Sequence, residues 1–512
     1  MSNFYITTPI YYVNDKPHIG HAYTTLACDV VARFKRADGF NVKFLTGTDE
    51  HGLKVAQSAA KKSIDPQSFT DEVSQHFRDL ARAMNFTEDD FIRTTEERHK
   101  KAASSFWQIL EKNGYIYKGK YAGFYSIRDE AYYSEDELVN GKAPTGADVE
   151  WSEEETYFFK LSAFQDKLLD FYKSNPDFIQ PKSRYNEVVS FVRGGKDYKE
   201  GALRDLSISR TTFSWGVKVP EDEKHVMYVW LDALTNYLSA LGFPDQEAQD
   251  YKDFWPANIH VVGKDILRFH AVYWPAFLMA ADLPLPQTIF AHGWWTNEGQ
   301  KISKSLGNVI DPFEISEEFG LDQMRYFLLS QVIFGSDGDF CKEELIRKTN
   351  SDLANNIGNL AQRVLSMVAK NCEGKIPSNK NLTNDDKALI AKGYELANLL
   401  RGHIDDMNFA EYLSEIIKYS NLANEYVDRK APWQLRKADP EAMETVLYVV
   451  LEIVRIIAIY LRSFMPDSAG KLLGLLAVPE EERDFTALSE SGALNSGVRL
   501  PAPEPIFKRY SV

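Results

Sequence analysis

Two short segments hold the residues best suited to chemistry on a phosphate. The first is His18-Ile19-Gly20-His21, two imidazoles around a glycine, directly after a loop. Where a strand turns into a helix, free backbone N–H groups and the positive end of the helix dipole suit an anion. Gly20 has no side chain and lets a nucleotide approach the backbone closely. Imidazoles near an α-phosphate can donate hydrogen bonds to charge that builds up during displacement. The second segment is Gly299-Gln300-Lys301-Ile302-Ser303-Lys304-Ser305-Leu306-Gly307. Two lysines and two serines between glycines make a loop able to fold over a triphosphate. Lysine acts there as a point charge that stabilises leaving pyrophosphate. The chain has no G-x-x-x-x-G-K-[ST] loop and no G-x-G-x-x-G after a strand, which disfavours common ATPases, kinases and dehydrogenases. Taken singly, the two segments also fit a structural turn and a solvated surface loop.

The elements around them make the first segment a strand-to-helix junction. Phe4 to Ile10 reads as a buried strand ending at Pro9, followed by a loop Tyr12–Pro17. A helix opening at His18 runs through Ala22, Leu26, Val30 and Phe34, apolar at helical spacing. Gly39 stops it, and Asn41–Thr46 is the next strand. Strand, helix, strand at this spacing is a βαβ unit, hence a parallel sheet with ligands at the strand C-termini. From about Gly114 to Val226 the character changes to tyrosine-rich short segments, an acidic cluster at Glu150–Glu155, and turns at Asn140-Gly141 and Gly194-Gly195. This reads as an insertion. The α/β pattern resumes with Tyr228-Val229-Trp230-Leu231, His260-Val261-Val262-Gly263 and Thr288-Ile289-Phe290-Ala291. After Ser351 the pattern is helical, with Leu353, Ile357, Leu360, Val364 and Met367 at spacings of three and four. The proline-containing tail from Val498 reads as an extended strap.

Composition bounds the rest. The chain has 512 residues, 44% hydrophobic and 26% charged, enough for three or four domains. A net charge of −15 argues against indiscriminate coating of nucleic acid but permits one RNA held on local basic patches. Cys28, Cys341 and Cys372 lie far apart and match no metal spacing, which points to a reducing compartment and a cytoplasmic protein. The N-terminus lacks the layout of a signal peptide. Val446–Leu461 is the most apolar stretch, yet Glu452 and Arg455 interrupt it, so it reads as a buried helix and no membrane partner is expected.

Taken together, His18-Ile19-Gly20-His21 and Lys301-Ile302-Ser303-Lys304-Ser305 resemble the paired signatures of class I aminoacyl-tRNA synthetases. The stretches Thr8-Pro9-Ile10-Tyr11-Tyr12-Val13-Asn14, Gly47-Thr48-Asp49-Glu50-His51-Gly52, Tyr228–Ala233 and Gly263–Ile266 look like the methionyl-tRNA synthetase family within that class. The resemblance covers nearly the whole chain. It implies an α/β fold, with a Rossmann-like parallel-sheet catalytic domain split by an insertion and followed by an α-helical anticodon-binding bundle. The boundaries above then become 1–113 and 227–297 for the catalytic halves and 114–226 for the connective insertion. Residues 298–350 form the stem-contact segment with the lysine loop, and 351–512 the helical domain and tail. The reaction implied has two steps. Methionine and ATP give methionyl-adenylate and pyrophosphate, and the methionyl group then passes to the terminal ribose of tRNA(Met) bearing a CAU anticodon. Mg²⁺ accompanies ATP through phosphate oxygens.

Carried over residue by residue, the resemblance assigns His18, His21, Lys301 and Lys304 to catalysis, and these with Gly20 and Ser303 to ATP. Asp49 is the anchor for the methionine ammonium. Ile10, Tyr12, Trp230, Ala233, Tyr237, Ile266, His270 and Trp274 line the side-chain pocket, where aromatic edges suit a thioether. Ile266, His270 and Trp274 fall at i, i+4 and i+8, one face of a helix. Without the resemblance, the tryptophans and His270 read as ordinary core. Asn359 and Arg363, one helical turn apart, and Trp433 match positions that read the anticodon, the aromatic by stacking on a splayed base.

Some relatives carry alanine in place of Pro9 and proline in place of Leu234, which bears on the pocket's fine shape. Many also bind structural zinc through Cys-x-x-Cys knuckles. Here the corresponding stretches, Tyr125–Glu130 and Gly141–Gly146, hold no thiolate, so no structural zinc and no metal ligand is expected. Two alternatives stand beside the methionine enzyme. One is a synthetase for isoleucine, leucine, valine or cysteine. The insertion is too small for the editing domain the first three need, and the pocket lacks the thiolates of the fourth. The other is a catalytically idle RNA-binding paralogue, against which both signatures are complete. No further domain follows the helical bundle, so a monomer without an obligate protein partner is expected.

Overall fold

Apolar runs far apart in the chain become neighbours in one sheet. The computed structural model describes residues 2–13, 16–129, 131–133, 135–302 and 307–511. The strand order is Tyr11–Tyr12, Asn41–Asp49, Asn3–Thr7, Ile259–Gly263, Thr288–His292, Ile179–Gln180, with Asp90–Arg93 also paired to Asn41–Asp49. The pairings of Asn3–Thr7 with Ile259–Gly263, and of that strand with Thr288–His292, run parallel. Such strands are covered on both faces and therefore read as nearly unbroken apolar stretches. Tyr5, Ile6, Phe44, Leu45, Val261, Val262, Ile289 and Ala291 are all fully buried. The first strand ends at Thr7, two residues before Pro9, which has no N–H to give the ladder.

The helix after the first strand spans Ile19–Ala37. Gly39 ends it at φ 85°, where Gly39 N–H donates to the Arg36 carbonyl and Phe40 N–H to that of Lys35, a left-handed C-terminal cap. At Gly47 on the next strand, a Cβ would lie 2.1 Å from the Ile92 carbonyl oxygen. Only glycine lets the strand Asp90–Arg93 pair there.

One expectation is corrected. Tyr228–Leu231 does not resume the sheet. The strand Asp222–Met227 pairs antiparallel with Ser209–Arg210 and Lys218–Val219, and Tyr228 is then the N-cap of a helix, Val229–Leu234. The Tyr228 carbonyl accepts the N–H groups of Leu231 and Asp232. Four apolar residues carry no periodicity able to separate strand from buried helix.

The chain packs as two units, Asn3–Cys28 with Val42–His292, and Met1–Ser2, Asp29–Asn41 and Gly293–Val512. The first holds the parallel sheet and a four-stranded sheet ordered Ala131–Tyr133, Ile116–Ser126, Glu150–Phe159, Leu206–Ser207. Ile179–Gln180, within the stretch read as insertion, adds in parallel to the edge of the main sheet. The second unit is mostly helical. Its hub is Pro440–Leu461, buried along almost its whole length. No helix among the described residues is long and apolar enough to cross a membrane.

In this hub Glu452 and Arg455 are both buried and paired, Arg455 Nη2 to Glu452 Oε1 at 2.6 Å. Tyr394 Oη and the Leu494 N–H donate to the same carboxylate, and Arg455 Nη1 to the Ala487 carbonyl. The tail from Leu500 has no regular element and is held as a strap. Asn350 bonds both the N–H and the carbonyl of Tyr510, whose hydroxyl donates to the Phe319 carbonyl. Arg455→Met strands the Glu452 charge in an apolar interior. It is expected to destabilise this unit by about 3–5 kcal/mol, read as a lowered Tm in calorimetry.

Candidate active site

The His18–His21 turn sits at the start of the helix Ile19–Ala37, whose first turn carries no acidic residue. The Gly20 N–H donates to His18 Nδ1 and the His18 N–H to His21 Nδ1, each at 3.1 Å. A ring nitrogen that accepts holds no hydrogen, so both neutral rings carry their proton on Nε2 and can donate it. Burial pushes His18 below the usual imidazole range. It pushes His21 further, with His18 adding to the effect. The rings lie 4.0 Å apart, and His21 is flanked by Tyr11 and Phe77. A Cβ on Gly20 would meet His18 Cε1 at 2.9 Å, so the glycine also makes room for its neighbour's ring.

Five of the pocket residues named from the sequence touch one another. His270 Nδ1 donates to the Ile266 carbonyl at 3.0 Å, which leaves Nε2 to accept from Tyr237 Oη at 2.7 Å. Burial pushes His270 down to about 4, so this ring is neutral too. Trp230 meets His270 edge-on and stacks on Phe269 at 3.8 Å; Trp274 lies 6.0 Å from Tyr237. Ala233 is buried one helical turn from Trp230. Ile10 and Tyr12 pack half-buried against the same core. Tyr12 pairs with Asp49 in the strand register, and Asp49 is buried.

Ile266, His270 and Trp274 do not share one α-helical face. A π-helical turn, Phe269–Tyr273, precedes the α-helix Trp274–Ala280. Pro275 has no N–H for the Ala271 carbonyl, which instead accepts from Tyr172 Oη at 2.6 Å. The rings still converge, because His270 bonds back to Ile266 while Trp274 packs on Tyr237.

Sequence reasoning missed the supports of the loop after Asp49. The buried Glu50 accepts from Arg93 Nε at 2.7 Å and Nη2 at 3.0 Å, and from Thr48 and Thr95. His51 and His99 both bond Asp232. Glu50 and His51 lie inside a quoted motif; Arg93 and His99 carried no local signal.

In the second unit, Trp295–Asn297 and Gln300–Lys301 form a hairpin through Glu298 and Gly299, both at positive φ. Asn297 Nδ2 donates to the Asn308 carbonyl, tying the two ends of the lysine loop. Lys301 is described by its backbone alone, and Ser303, Lys304 and Ser305 lie outside the described residues. Of the anticodon candidates, Asn359 is exposed and Trp433 is 46% exposed. The Arg363 guanidinium lies 5.5 Å from the Trp433 ring centre and donates to Asp428. Ala431, left-handed at φ 44°, turns the chain into the short helix that carries Trp433.

Within the connective stretch, Asp129 accepts from Thr145, Tyr133 and Arg128. Among the described residues, no three His, Cys, Asp or Glu side chains are grouped to hold a metal ion.

A parallel sheet with paired imidazoles at its first strand–helix junction is the frame of a class I tRNA synthetase. Residues 4–149 and 143–365 match the family model for class I tRNA synthetases (M), and residues 376–511 that for the anticodon binding domain of methionyl tRNA ligase. The chain is 58% identical to a methionine–tRNA ligase of Rickettsia bellii, across 99% of each chain. It is 54% identical to one of Brucella suis, over 99% of this chain and 98% of that one. The solved Mycobacterium tuberculosis methionyl-tRNA synthetase in complex with methionyl-adenylate superposes with a TM-score of 0.95 at 49% identity, over 99% of this chain and 100% of that one. The chain belongs to the methionyl-tRNA ligase family of class I tRNA synthetases.

Because burial lowers both imidazoles, protonation comes only below the ordinary histidine value of 6.5. A protonated Nδ1 can no longer accept the backbone N–H that shapes the turn. Methionine-dependent pyrophosphate exchange is therefore expected to stay level from neutral pH down through 6.5 and to fall below it. A decline already complete above that pH would contradict the neutral rings.

Proposed function

We propose that His18 and His21 hold the ATP α-phosphate at the helix start while methionine's carboxylate attacks it. The observation that carries this reading is the pair of neutral rings, each with its hydrogen on Nε2. The activity itself, ATP-dependent joining of methionine to tRNA by way of methionyl-adenylate, follows from family membership over the full length. That decides for methionine over the other amino acids considered.

In this reading Asp49 holds the substrate ammonium. The thioether enters among Trp230, Ala233, Tyr237, Ile266, His270 and Trp274, with Ile10 and Tyr12 closing the pocket. The carboxylate oxygen forms a bond to the α-phosphorus as the bond to the bridging oxygen breaks, and pyrophosphate leaves with the electron pair. Charge that gathers on the α-phosphate oxygens meets the Nε2–H donors, which need no rearrangement as it builds. Gly20 leaves the backbone open to the nucleotide. Lys301, Ser303 and Lys304 take the departing pyrophosphate. Mg²⁺ would be carried on the phosphate oxygens and supply further charge there. The terminal ribose hydroxyl of tRNA(Met) then attacks the methionyl carbonyl and releases AMP.

Asn359, Arg363 and Trp433 receive the CAU anticodon. The support is that the Arg363 guanidinium lies over the exposed Trp433 ring, a cation beside a flat face suited to a splayed base. The domain division at 114–226, 298–350 and 351–512, a metal-free insertion, and a cytoplasmic monomer complete the reading.

Pyrophosphate exchange should be stimulated best by methionine among the proteinogenic amino acids. Lys304→Ala should lower the exchange rate by orders of magnitude with methionine KM little changed. Exchange at the parent rate in that variant would remove Lys304 from the mechanism. Trp433→Ala should raise KM for tRNA about tenfold to a hundredfold, the loss of one stacked base, while exchange without tRNA is untouched.

A further inference from the structure

Behind the proposed amino-acid pocket, three buried side chains meet that the mechanism above does not use. Asp232 lies on the helix Val229–Leu234, between Trp230 and Ala233, and is fully buried. Its Oδ2 contacts His51 Nδ1 at 2.6 Å and its Oδ1 contacts His99 Nε2 at 2.7 Å. His99 Nδ1 meets the Ser239 hydroxyl at 2.9 Å. The three come from separate elements. His51 stands two residues after Asp49, at the end of the strand Asn41–Asp49, and His99 is on the helix Glu97–Lys112.

A carboxylate can only accept, so each imidazole must turn an N–H toward it. That sets His51 with hydrogen on Nδ1 and His99 with hydrogen on Nε2. Burial alone would raise the Asp232 carboxyl. The two imidazoles, His51 foremost, outweigh burial and hold it well below its ordinary value. An anion this deep is costly unless both oxygens are satisfied, so the contacts are stiff in distance and direction.

We infer that Asp232, bridging His51 and His99, is a positioning residue that keeps the Asp49 loop in register with the helix carrying Trp230 and Ala233. This rests on the assignment of Asp49 and Trp230 to methionine. The bridge acts on how well methionine fits and does not touch the reacting atoms. Glu50 anchors the same loop separately through Arg93, Thr48 and Thr95, so the loop keeps its fold when the bridge is weakened.

The test is Asp232→Asn in the full chain, assayed by pyrophosphate exchange. An amide offers one accepting atom, and its NH₂ group faces the N–H of the second imidazole, which must change tautomer or turn away. Methionine KM is expected to rise about tenfold or more, with ATP KM and kcat staying within about threefold. His99→Leu should raise methionine KM as well, and His99→Gln, which restores an N–H toward Asp232, should bring it back.

Parent methionine KM in Asp232→Asn, or methionine and ATP KM rising together, overturns the inference. If Asp232→Asn does not fold, the His99 pair decides. Recovery in His99→Gln supports the bridge; equal methionine KM in His99→Leu and His99→Gln overturns it. Asp49→Asn, measured alongside, separates the two readings. If it too leaves methionine KM unchanged, the pocket assignment has failed and this inference with it. If it raises methionine KM while the Asp232 and His99 variants do not, only the bridge has failed.

Discussion

The strand Asn3–Thr7 lies beside Ile259–Gly263, and the site is assembled around that pairing. The Tyr5 N–H donates to Asn258 Oδ1 at 2.7 Å, Tyr5 Oη to the Tyr237 carbonyl at 3.0 Å, and Thr7 Oγ1 meets His260 Nδ1 at 2.8 Å, all across more than two hundred residues of chain. Closing so long a loop costs little more than closing a shorter one, because the entropy grows only with the logarithm of length. Strands buried on both faces more than offset it. Once they pair in parallel, their C-terminal ends lie on one side of the sheet. The chain leaving the first strand supplies Tyr12 and the His18–His21 turn, while the chain leaving the second supplies Ile266, His270 and Trp274.

The same burial acts oppositely on bases and acids. His18, His21, His260 and His270 are all pushed below the usual imidazole range by loss of water, so the His18–His21 turn and the proposed methionine pocket are lined by neutral rings. Hydrogen bonds to backbone and hydroxyl groups then decide which ring nitrogen donates. Several buried carboxylates are surrounded by hydrogen-bonding partners. Glu50 has Arg93 and two threonines, and Asp232 has two imidazoles. In the helical unit Glu452 has Arg455, Tyr394 and a backbone N–H, and Asp29 has Arg33 and Arg325. These pairs add direction to cores otherwise built from apolar contact.

The helical unit presents its chemistry at the surface. Leu360, Val364, Val427 and Pro432 line a small apolar cavity together with Arg363. The Arg363 guanidinium lies over the Trp433 ring and reaches Asp428. The left-handed Ala431 and the proline after it set the angle at which the tryptophan stands out.

By itself the sequence determined four of the parallel strands, those at Asn3–Thr7, Asn41–Asp49, Ile259–Gly263 and Thr288–His292, the helix that begins beside His18, the buried helix through Glu452 and Arg455, and the two lysine- and histidine-bearing signatures. Each is a local pattern: apolar runs, helical spacing, a glycine stop, residues adjacent in a motif. Tyr228–Leu231 escaped that reading because four apolar residues have no period, and the π turn before Trp274 because one missing N–H, at Pro275, acts on a register set by packing. What lies between elements was decided only by tertiary structure. Asp232 meets His99 across 133 residues and His51 across 181, and nothing in the neighbourhood of any of them encodes the meeting. Hydrogen-bond partners at such range are chosen by how strands and helices stack, and tautomers by those partners in turn.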